Sequence, residues 1–357
     1  MPNHSTSHTA SLVHHLEGGG IALVPTDTVF GLGTLMDNHA SNRLGKCKGY
    51  SRPRPFTVHL RHMADLKSWL KTPPPGLAQW AQGVLPGPLT IVVPKKWVSF
   101  PADIDWEWET VGLRVPSDTE YEGVAAKLSK PLLMTSVNTP GEPPLYGDDL
   151  VKWASKNSDV FSAYALDVIK RADCLSRPAS TVVSLEPPPR ILRAGAFTEP
   201  VRPGLKILVL CSGNICRSPV AEALLRREIA CRWKAKEEQL PSLGWQIDSA
   251  GTFALPGNPA TAESVQVASA DGLCIAGHEA APLEEAFAEG VTPPDVVLCM
   301  GKNHLASLPP SAHGELLDPA GVEIEDPYGQ GISAYEKMMR QIKAAVNARV
   351  DALSSWD

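Results

Sequence analysis

The chain has 357 residues, of which 43% are hydrophobic and 20% charged, and its formal net charge at pH 7 is −6. This length exceeds what one hydrophobic core usually supports, so we expect two domains. No apolar run approaches the roughly 20 residues that span a bilayer, and the first residues lack the basic flank and apolar stretch of a signal peptide. We therefore expect a cytoplasmic protein that does not associate with membranes.

The cysteines point to the same compartment. There are seven of them, so they cannot all pair, and a chain of this length needs no disulfide framework. No C-x-x-C occurs, and no histidine lies near a cysteine at zinc-ligand spacing, so we predict no metal site formed by these residues. The cysteines are Cys47, Cys174, Cys211, Cys216, Cys231, Cys274 and Cys299.

The first clear element is a buried strand beginning at Ile21, which is predicted to run into a polar, glycine-rich turn from Thr26 to Gly33. Such a turn suits a small ligand. The chain has no G-x-x-x-x-G-K-[ST], which excludes a standard P-loop NTPase. The next segment is basic and could hold an anion, although an ordinary solvated basic loop is the alternative. Its cations are Arg43, Lys46, Lys48, Arg52 and Arg54.

Six further segments give the first 200 residues a recognisable pattern. They are Lys46–Leu60, Leu85–Val93, Val111–Pro116, Thr135–Asn138, Ser180–Val183 and Ile191–Gly195. In this order they resemble the YrdC-like threonylcarbamoyl-AMP synthases. The resemblance implies a synthase domain over residues 1–200.

This resemblance implies a nucleotidyltransferase that acts on L-threonine, bicarbonate and ATP. The product would be threonylcarbamoyl-adenylate, the donor for threonylcarbamoyladenosine in tRNA, so tRNA-modification proteins are expected partners. Mg²⁺ would accompany the ATP. By family position the nucleotide would be bound by Lys46, Lys48, Arg52, Ser136, Asn138 and Arg193. Threonine would be bound by Thr26, Arg114 and Ser180, with Arg114 on its carboxylate.

Two departures from the family pattern leave an alternative open. The family usually has lysine and arginine separated by one residue, whereas this chain has Lys48-Gly49-Tyr50, and it commonly has tyrosine where Phe30 stands. Arg52 is expected to replace the lost guanidinium. Without that replacement, the domain would be a non-catalytic module that binds RNA or nucleotide.

The predicted boundary is Glu199–Gly204, because its two prolines and glycine break regular structure. Residues 1–204 carry 21 Lys and Arg against 19 Asp and Glu, whereas residues 205–357 carry 12 against 20. The second part is therefore a poor candidate for non-specific nucleic-acid binding.

Strands and helices alternate beyond the boundary, which implies a doubly wound parallel sheet with its ligand at the carboxyl ends of the strands. We predict an α/β chain with an N-terminal mixed α+β domain and a C-terminal doubly wound domain over residues 205–357. The predicted elements are a strand from Lys206, a helix over Pro219–Trp233, strands over Trp245–Asp248 and Asp295–Met300, and a helix over Tyr335–Leu353.

The strand from Lys206 ends in the sequence CSGNICR, which gives a C-x₅-R spacing from Cys211 to Arg217. Between a strand and a helix start, such a turn directs backbone N–H groups at a tetrahedral anion. Arg217 can bind two phosphate oxygens at once, and the same positive field lowers the pKa of a thiol. Cys211 is therefore the predicted nucleophile, and a buried structural cysteine is the alternative.

A leaving oxygen also needs an acid, and Asp326 in the sequence DPYG is the candidate. With CSGNICRSP, DSAGT and DVVLCM in the same order, the chain resembles the low-molecular-weight protein tyrosine phosphatases over residues 205–357. The resemblance implies catalysis by Cys211, Arg217 and Asp326 without a cofactor. The loop residues expected to support the phosphate site are Ser212, Gly213, Asn214, Ile215, Cys216 and Ser218.

Within this loop Asn214 would brace the backbone, Ser218 would donate to the Cys211 thiolate, and Cys216 could form a disulfide with Cys211 under oxidation. The expected substrates are phosphorylated proteins. Ile215 is bulky and apolar, which favours phosphotyrosine, whereas related phosphoarginine phosphatases have a small polar residue there, so phosphoarginine stays the alternative. Arsenate reduction is disfavoured because Cys274 and Cys299 are far apart in sequence.

Overall fold

The computed structural model describes residues 4–139, 141–157, 178–186 and 189–355; Cys174 lies outside these ranges. The chain divides into two units. One comprises Met1–Thr72 with Ala81–Pro200, and the other comprises Pro73–Trp80 with Val201–Asp357.

The helices among the described residues are α1 (His4–Glu17), α2 (Ala40–Cys47), α3 (Met63–Trp69), α4 (Leu77–Val84), α5 (Thr119–Ala125), α6 (Gly147–Lys156), α7 (Arg217–Trp233), α8 (Ala262–Ala270), α9 (Lys302–Leu305) and α10 (Ile332–Ala352). The strands are β1 (Ile21–Val24), β2 (Gly31–Leu35), β3 (Thr57–His59), β4 (Leu89–Pro94), β5 (Thr110–Arg114), β6 (Leu132–Ser136), β7 (Thr181–Ser184), β8 (Arg190–Arg193), β9 (Lys206–Cys211), β10 (Gln246–Gly251), β11 (Val296–Cys299) and β12 (Gly314–Leu316).

The first unit is built on a mixed sheet with the strand order β1-β2-β6-β3-β5-β4-β7-β8. The β3–β5 and β4–β7 pairs are parallel, and the other neighbours are antiparallel. Leu12 and Leu16 of α1 pack with Val24 of β1 and Tyr121 of α5 in a buried cluster. The predicted mixed α+β class is confirmed.

The predicted turn from Thr26 to Gly33 is only partly correct. The turn ends at Phe30, and Gly31 and Gly33 lie in β2, where they pair with β1 and β6. A Cβ at Gly31 would lie 2.6 Å from the Met134 side chain, and one at Gly33 would lie 3.2 Å from it. These glycines therefore allow close strand packing and do not form the turn.

The second unit carries an all-parallel sheet in the order β10-β9-β11-β12. Parallel order with a helical connection after β9 is the doubly wound arrangement that was predicted. The last helix is confirmed, and one face of it is buried; the residues of this face include Met338, Met339, Ile342, Val346 and Val350. The strand predicted to end at Asp248 is longer and runs to Gly251. Cys211 is the last residue of β9, which lies between β10 and β11 in this sheet.

Candidate active sites

The second unit presents Cys211 where β9 ends and α7 begins six residues later. The thiol is almost fully buried, with 2% of the residue exposed. Its Sγ lies 3.0 Å from the Ser218 hydroxyl and accepts a hydrogen bond from the Asn214 amide at 3.3 Å. The sulfur of Cys211 is thus in contact with a backbone amide and a hydroxyl of its own loop.

Asn214 holds the loop in shape. Its φ of 55° lies in the left-handed region, which asparagine tolerates better than most residues. The side-chain Nδ2 donates to Ser218 at 2.8 Å and to Ser249 at 2.9 Å, and Oδ1 accepts from the Ala281 amide at 2.8 Å. Because Ser218 also contacts Cys211, the bracing of the loop and the environment of the sulfur are linked.

Arg217 is the buried cation of this site. Its Nη2 donates to Asp326 Oδ2 at 2.5 Å and to Ser212 Oγ at 3.2 Å, and Nη1 donates to the Ile324 carbonyl at 3.3 Å. The Nε atom is buried without a hydrogen-bond partner. An unpaired donor on a buried guanidinium is costly, which suggests that an anion completes its coordination.

A cavity of about 230 Å³ lies over the loop and is lined by Cys211, Ile215, Arg217, Phe253 and Tyr328, among others. Phe253 is 83% exposed and Tyr328 66% exposed, so two aromatic side chains stand at the mouth of the cavity. Sequence reasoning missed Phe253. Its position two residues past β10, on the same sheet edge as Cys211, could have indicated it.

Cys216 is a buried free thiol that also lines the cavity above Cys211. Its Sγ lies 3.5 Å from the Tyr335 hydroxyl and 3.6 Å from that of Thr261. Burial raises the pKa of the Cys216 thiol, although these hydroxyls oppose the shift. At neutral pH Cys216 therefore favours the thiol form. Its disulfide with Cys211 stays a prediction.

The first unit contains a cavity of about 190 Å³ between the turn after β1 and strands β3, β4, β5, β6 and β8. It brings together five of the residues predicted for threonine and nucleotide. These five are Thr26, Arg114, Ser136, Ser180 and Arg193.

Arg114 is the most buried cation in this cavity, with 3% of the residue exposed. Its Nη2 donates to Asp27 Oδ1 at 2.5 Å and to Thr28 Oγ1 at 2.8 Å. As at Arg217, the Nε atom is buried and has no hydrogen-bond partner. Arg114 can therefore bind an anion within the cavity while Asp27 balances part of its charge.

Arg193, at the end of β8, lines the same cavity as Arg114. Its Nε and Nη2 donate to the Ser180 carbonyl at 3.2 and 2.7 Å, and Nη2 also reaches Ser180 Oγ at 3.1 Å. The Ser180 hydroxyl lies 3.0 Å from that of Thr90. The cavity thus combines two guanidinium groups with several hydroxyls, a combination suited to a polar anionic ligand.

Lys48 is placed with Ser136 and Asn138, as predicted for residues of one site. Its ammonium group donates to the Ser136 carbonyl at 2.9 Å and to Asn138 Oδ1 at 2.5 Å, with a further contact to the Asn138 carbonyl. Burial lowers the pKa of Lys48 to about 8. Lys48 thus fixes the loop after β6, and a bound phosphate would compete with Asn138 for it.

Lys46 and Arg52 are not brought to this site. Both side chains are exposed, and within the described ranges neither makes a hydrogen bond or an ion pair. The guanidinium that approaches Tyr50 belongs to Arg54, 4.4 Å from the ring centroid. The Arg54 carbonyl accepts a hydrogen bond from Ser41 at 2.5 Å. Tyr50 and Ser41 thus contact Arg54, whereas sequence reasoning expected Arg52 to take the place of the missing guanidinium.

His59 also lines the cavity and was missed by sequence reasoning. Burial, and then the nearby Arg114, lower the pKa of His59 to about 3. A neutral imidazole in a cationic cavity can donate or accept one hydrogen bond without adding charge. The signal available in the sequence was weak, since a histidine within a short apolar strand is more often a core residue.

The described part of the chain contains no group of three or more His, Cys, Asp or Glu residues arranged to hold a metal ion. Within the same ranges, none of the helices has both the length and the apolar character needed to cross a bilayer.

Comparison with known proteins gives two family matches. The family model Sua5/YciO/YrdC, described as "Telomere recombination", matches residues 14–195, and that for low molecular weight phosphotyrosine protein phosphatase matches residues 206–355. A putative threonylcarbamoyl-AMP synthase of Mycobacterium leprae is 30% identical over 200 residues, 54% of this chain and 86% of that protein. The probable low molecular weight protein-tyrosine-phosphatase EpsP of Ralstonia solanacearum is 36% identical over 150 residues, 40% of this chain and 92% of that protein.

Among solved structures, the tyrosine phosphatase Wzb from Escherichia coli K30 in complex with sulphate is 33% identical. The match covers 41% of this chain and 96% of that one, with a TM-score of 0.35.

Proposed function

We propose that this chain, which belongs to the Sua5/YciO/YrdC family over residues 14–195 and to the low molecular weight phosphotyrosine protein phosphatases over residues 206–355, carries two enzyme activities. The first unit forms threonylcarbamoyl-adenylate from L-threonine, bicarbonate and ATP for tRNA modification. The second hydrolyses phosphomonoesters on proteins through a cysteinyl-phosphate.

The observation that carries the synthase proposal is the pair of guanidinium groups in one cavity. The unpaired, buried Nε of Arg114 suits the threonine carboxylate. Arg193, on β8, suits the phosphates of ATP, and Ser136 and Asn138 suit the nucleotide. The threonine amine attacks the carbon of bicarbonate, and loss of water gives the carbamate. A carbamate oxygen then attacks the α-phosphorus of ATP, and the bond from that phosphorus to the leaving pyrophosphate breaks. Enclosure by the strands limits the access of water to the labile carbamate.

Mg²⁺ would enter as part of the ATP complex. The described residues offer no cluster of three acidic or imidazole ligands, and Asp27 is engaged by Arg114. Mg²⁺ commonly binds through substrate phosphates, one or two carboxylates and water. A cavity without a cluster of acidic ligands among the described residues fits that mode of binding. The ion would neutralise charge on the phosphates.

Pyrophosphate release measured with purified full-length protein tests the synthase. Release should require ATP, threonine and bicarbonate together, and Arg114→Ala should raise the KM for threonine more than that for ATP. Release that does not depend on threonine would reject the synthase. Binding of ATP without any pyrophosphate release would support the non-catalytic alternative.

The observation that carries the phosphatase proposal is the convergence of Ser218, the Asn214 amide and Arg217 around Cys211. The Cys211 thiolate attacks phosphorus, the S–P bond forms and the P–O bond to the leaving group breaks. Asp326 donates its proton to that oxygen. Asp326 then takes a proton from a water that attacks the cysteinyl-phosphate, which releases phosphate and the thiolate.

Phosphotyrosine is the proposed substrate because the cavity above Cys211 has apolar and aromatic walls formed by Ile215, Phe253 and Tyr328. An aryl group gains from burial against such rings. A phosphoarginine side chain would bring a polar guanidinium group instead. Among the residues that line the cavity, the carboxylate that could pair with this guanidinium is that of Asp326. Arg217 already forms an ion pair with Asp326.

Cys211→Ser tests this half of the proposal. The variant should lose p-nitrophenyl phosphate hydrolysis and keep pyrophosphate release, whereas Cys274→Ser, at an exposed free cysteine, should keep both. Matched phosphotyrosine and phosphoarginine peptides should show a higher kcat/KM for phosphotyrosine. The reverse order would reject our substrate assignment and leave the nucleophile in place.

A further inference from the structure

Ser212, the residue directly after the nucleophile, lies between two nitrogen donors. Its Oγ is 3.0 Å from Nε2 of His304 and accepts a hydrogen bond from Arg217 Nη2 at 3.2 Å. Ser212 is half-buried and lines the cavity above Cys211. His304 lies behind it on α9, with 1% of the residue exposed. The hydroxyl is thus held from the protein side and reaches the cavity.

His304 is neutral under most conditions. Burial, and then Arg217, lower the pKa of His304 to about 4, although Asp326 and Glu323 oppose this shift. A neutral imidazole has one N–H and one lone pair. The Nδ1 atom is buried without a partner, and an unpaired buried N–H is rarer than an unpaired acceptor. The proton is therefore assigned to Nε2, which donates to Ser212.

With this tautomer Ser212 Oγ accepts from both His304 and Arg217, and both of its lone pairs are used. The hydroxyl proton must then point elsewhere, and the open side of Ser212 is the cavity. A hydroxyl has one donor and two acceptor positions, so this arrangement satisfies it completely once an anion is present.

We propose that the Ser212 hydroxyl is a direct phosphate ligand of the phosphatase site and that His304 is the positioning residue that directs its proton toward the phosphate. This inference rests on the proposed phosphatase function. It adds a side-chain donor to those of the loop backbone and Arg217.

The arrangement also accounts for how Arg217 stays in place during catalysis. In the resting structure Arg217 Nη2 is shared between Asp326 and Ser212. Asp326 is 48% exposed and must turn to the leaving oxygen to act as the acid. Ser212, held by buried His304, keeps its contact with Arg217 when Asp326 departs. The guanidinium therefore keeps two neutral acceptors, Ser212 Oγ and the Ile324 carbonyl, when Asp326 departs.

The test measures the competitive inhibition constant (Ki) of inorganic phosphate against p-nitrophenyl phosphate hydrolysis by the full chain. Loss of a hydrogen bond to a charged group should make Ser212→Ala raise this Ki about tenfold or more. Ser212→Thr keeps the hydroxyl and should stay close to wild type. Ser307→Ala is a matched control, because the Ser307 hydroxyl donates to the Asn303 carbonyl one turn away and Ser307 does not line the cavity above Cys211.

The role of His304 is separated by a double-mutant cycle. His304→Leu should raise the same Ki, His304→Gln should restore most of the loss through its N–H donor, and Ser212→Ala should add little to His304→Leu. If His304→Leu does not fold, the phosphate contact is still tested by comparing the Ki of Ser212→Ala with that of Ser212→Thr.

A wild-type Ki in Ser212→Ala would overturn the phosphate contact, and fully additive effects would overturn the positioning role. Absence of p-nitrophenyl phosphate hydrolysis by the wild type would instead reject the phosphatase itself.

Discussion

Mild acid should destabilise the first unit through one histidine. His59 lies in β3 with 6% of the residue exposed, and burial is the largest cause that lowers its pKa to about 3. Arg114 adds to this shift, and the Thr57 carbonyl opposes it. In the unfolded chain the same imidazole regains an ordinary pKa near 6.5. Between these values the unfolded state binds a proton that the folded state does not.

The sign and size of the effect follow from this difference. Where the unfolded state binds more protons, stability rises with pH, so acidification from pH 7 toward 3 destabilises the fold. Each pH unit below the unfolded pKa costs about 1.4 kcal/mol until the folded pKa is reached. At pH 5 the loss is about 2 kcal/mol, a value that is unchanged as long as the folded pKa is well below 5.

Hydrogen exchange of the slowest amides in β3 and β5 measures this unfolding free energy, once intrinsic exchange rates are corrected for pH. From pH 7 to 5 the wild type should lose about 2 kcal/mol more than His59→Gln, which cannot titrate. His14→Gln, at an exposed histidine, should behave as wild type. Equal pH dependence in wild type and His59→Gln would show that His59 is protonated in the fold and refute the reasoning.

Three further predictions concern single residues. Asp326→Asn should lower kcat about 100-fold for phenyl phosphate and much less for p-nitrophenyl phosphate, whose leaving group needs little protonation; equal losses would contradict its role as the acid. Asn214→Gly should unfold in urea with about 1 kcal/mol more stability than Asn214→Ala, because only glycine adopts the positive φ without strain; equal stability would mean that the loop relaxes. Arg54→Ala should weaken ATP binding measured by calorimetry, whereas Arg52→Ala should not, because the Arg54 guanidinium is held over the Tyr50 ring; the reverse order would restore the sequence-based expectation for Arg52.

The phosphate loop could be predicted from sequence because its chemistry is local. Cys211, Asn214 and Ser218 lie within eight residues, and a strand-to-helix turn leaves few ways to arrange them. In the folded loop the Ser218 hydroxyl lies 3.0 Å from Cys211 Sγ, and the Asn214 side chain donates to Ser218. His304, by contrast, is 92 residues from Ser212 and meets it only because β9 and β11 are adjacent strands. No spacing rule in the sequence encodes that contact.

The synthase cavity was less predictable for the same reason. Its lining comes from strands that are distant in sequence, so family position could nominate Arg114 and Ser180 but could not show which partners they meet. Lys48 was expected to bind the nucleotide, and the sequence did not indicate that its ammonium group is buried and donates to the Ser136 and Asn138 carbonyls. Arg52 was expected to replace the missing guanidinium, and the contact of Arg54 with the Tyr50 ring became visible only in the folded loop.

In both sites a buried arginine is paired with an aspartate. Arg114 and Arg217 are both buried, each donates Nη2 to an aspartate at 2.5 Å, and each leaves a buried Nε unpaired. The aspartate offsets the cost of burying a cation before an anion arrives. The difference lies in exposure: the Asp27 side chain is 10% exposed and that of Asp326 48%. An aspartate enclosed by the fold can only balance charge, whereas one that turns toward solvent can leave the arginine and deliver a proton. Under the functions proposed above, the same kind of ion pair would serve binding in the first unit and acid catalysis in the second.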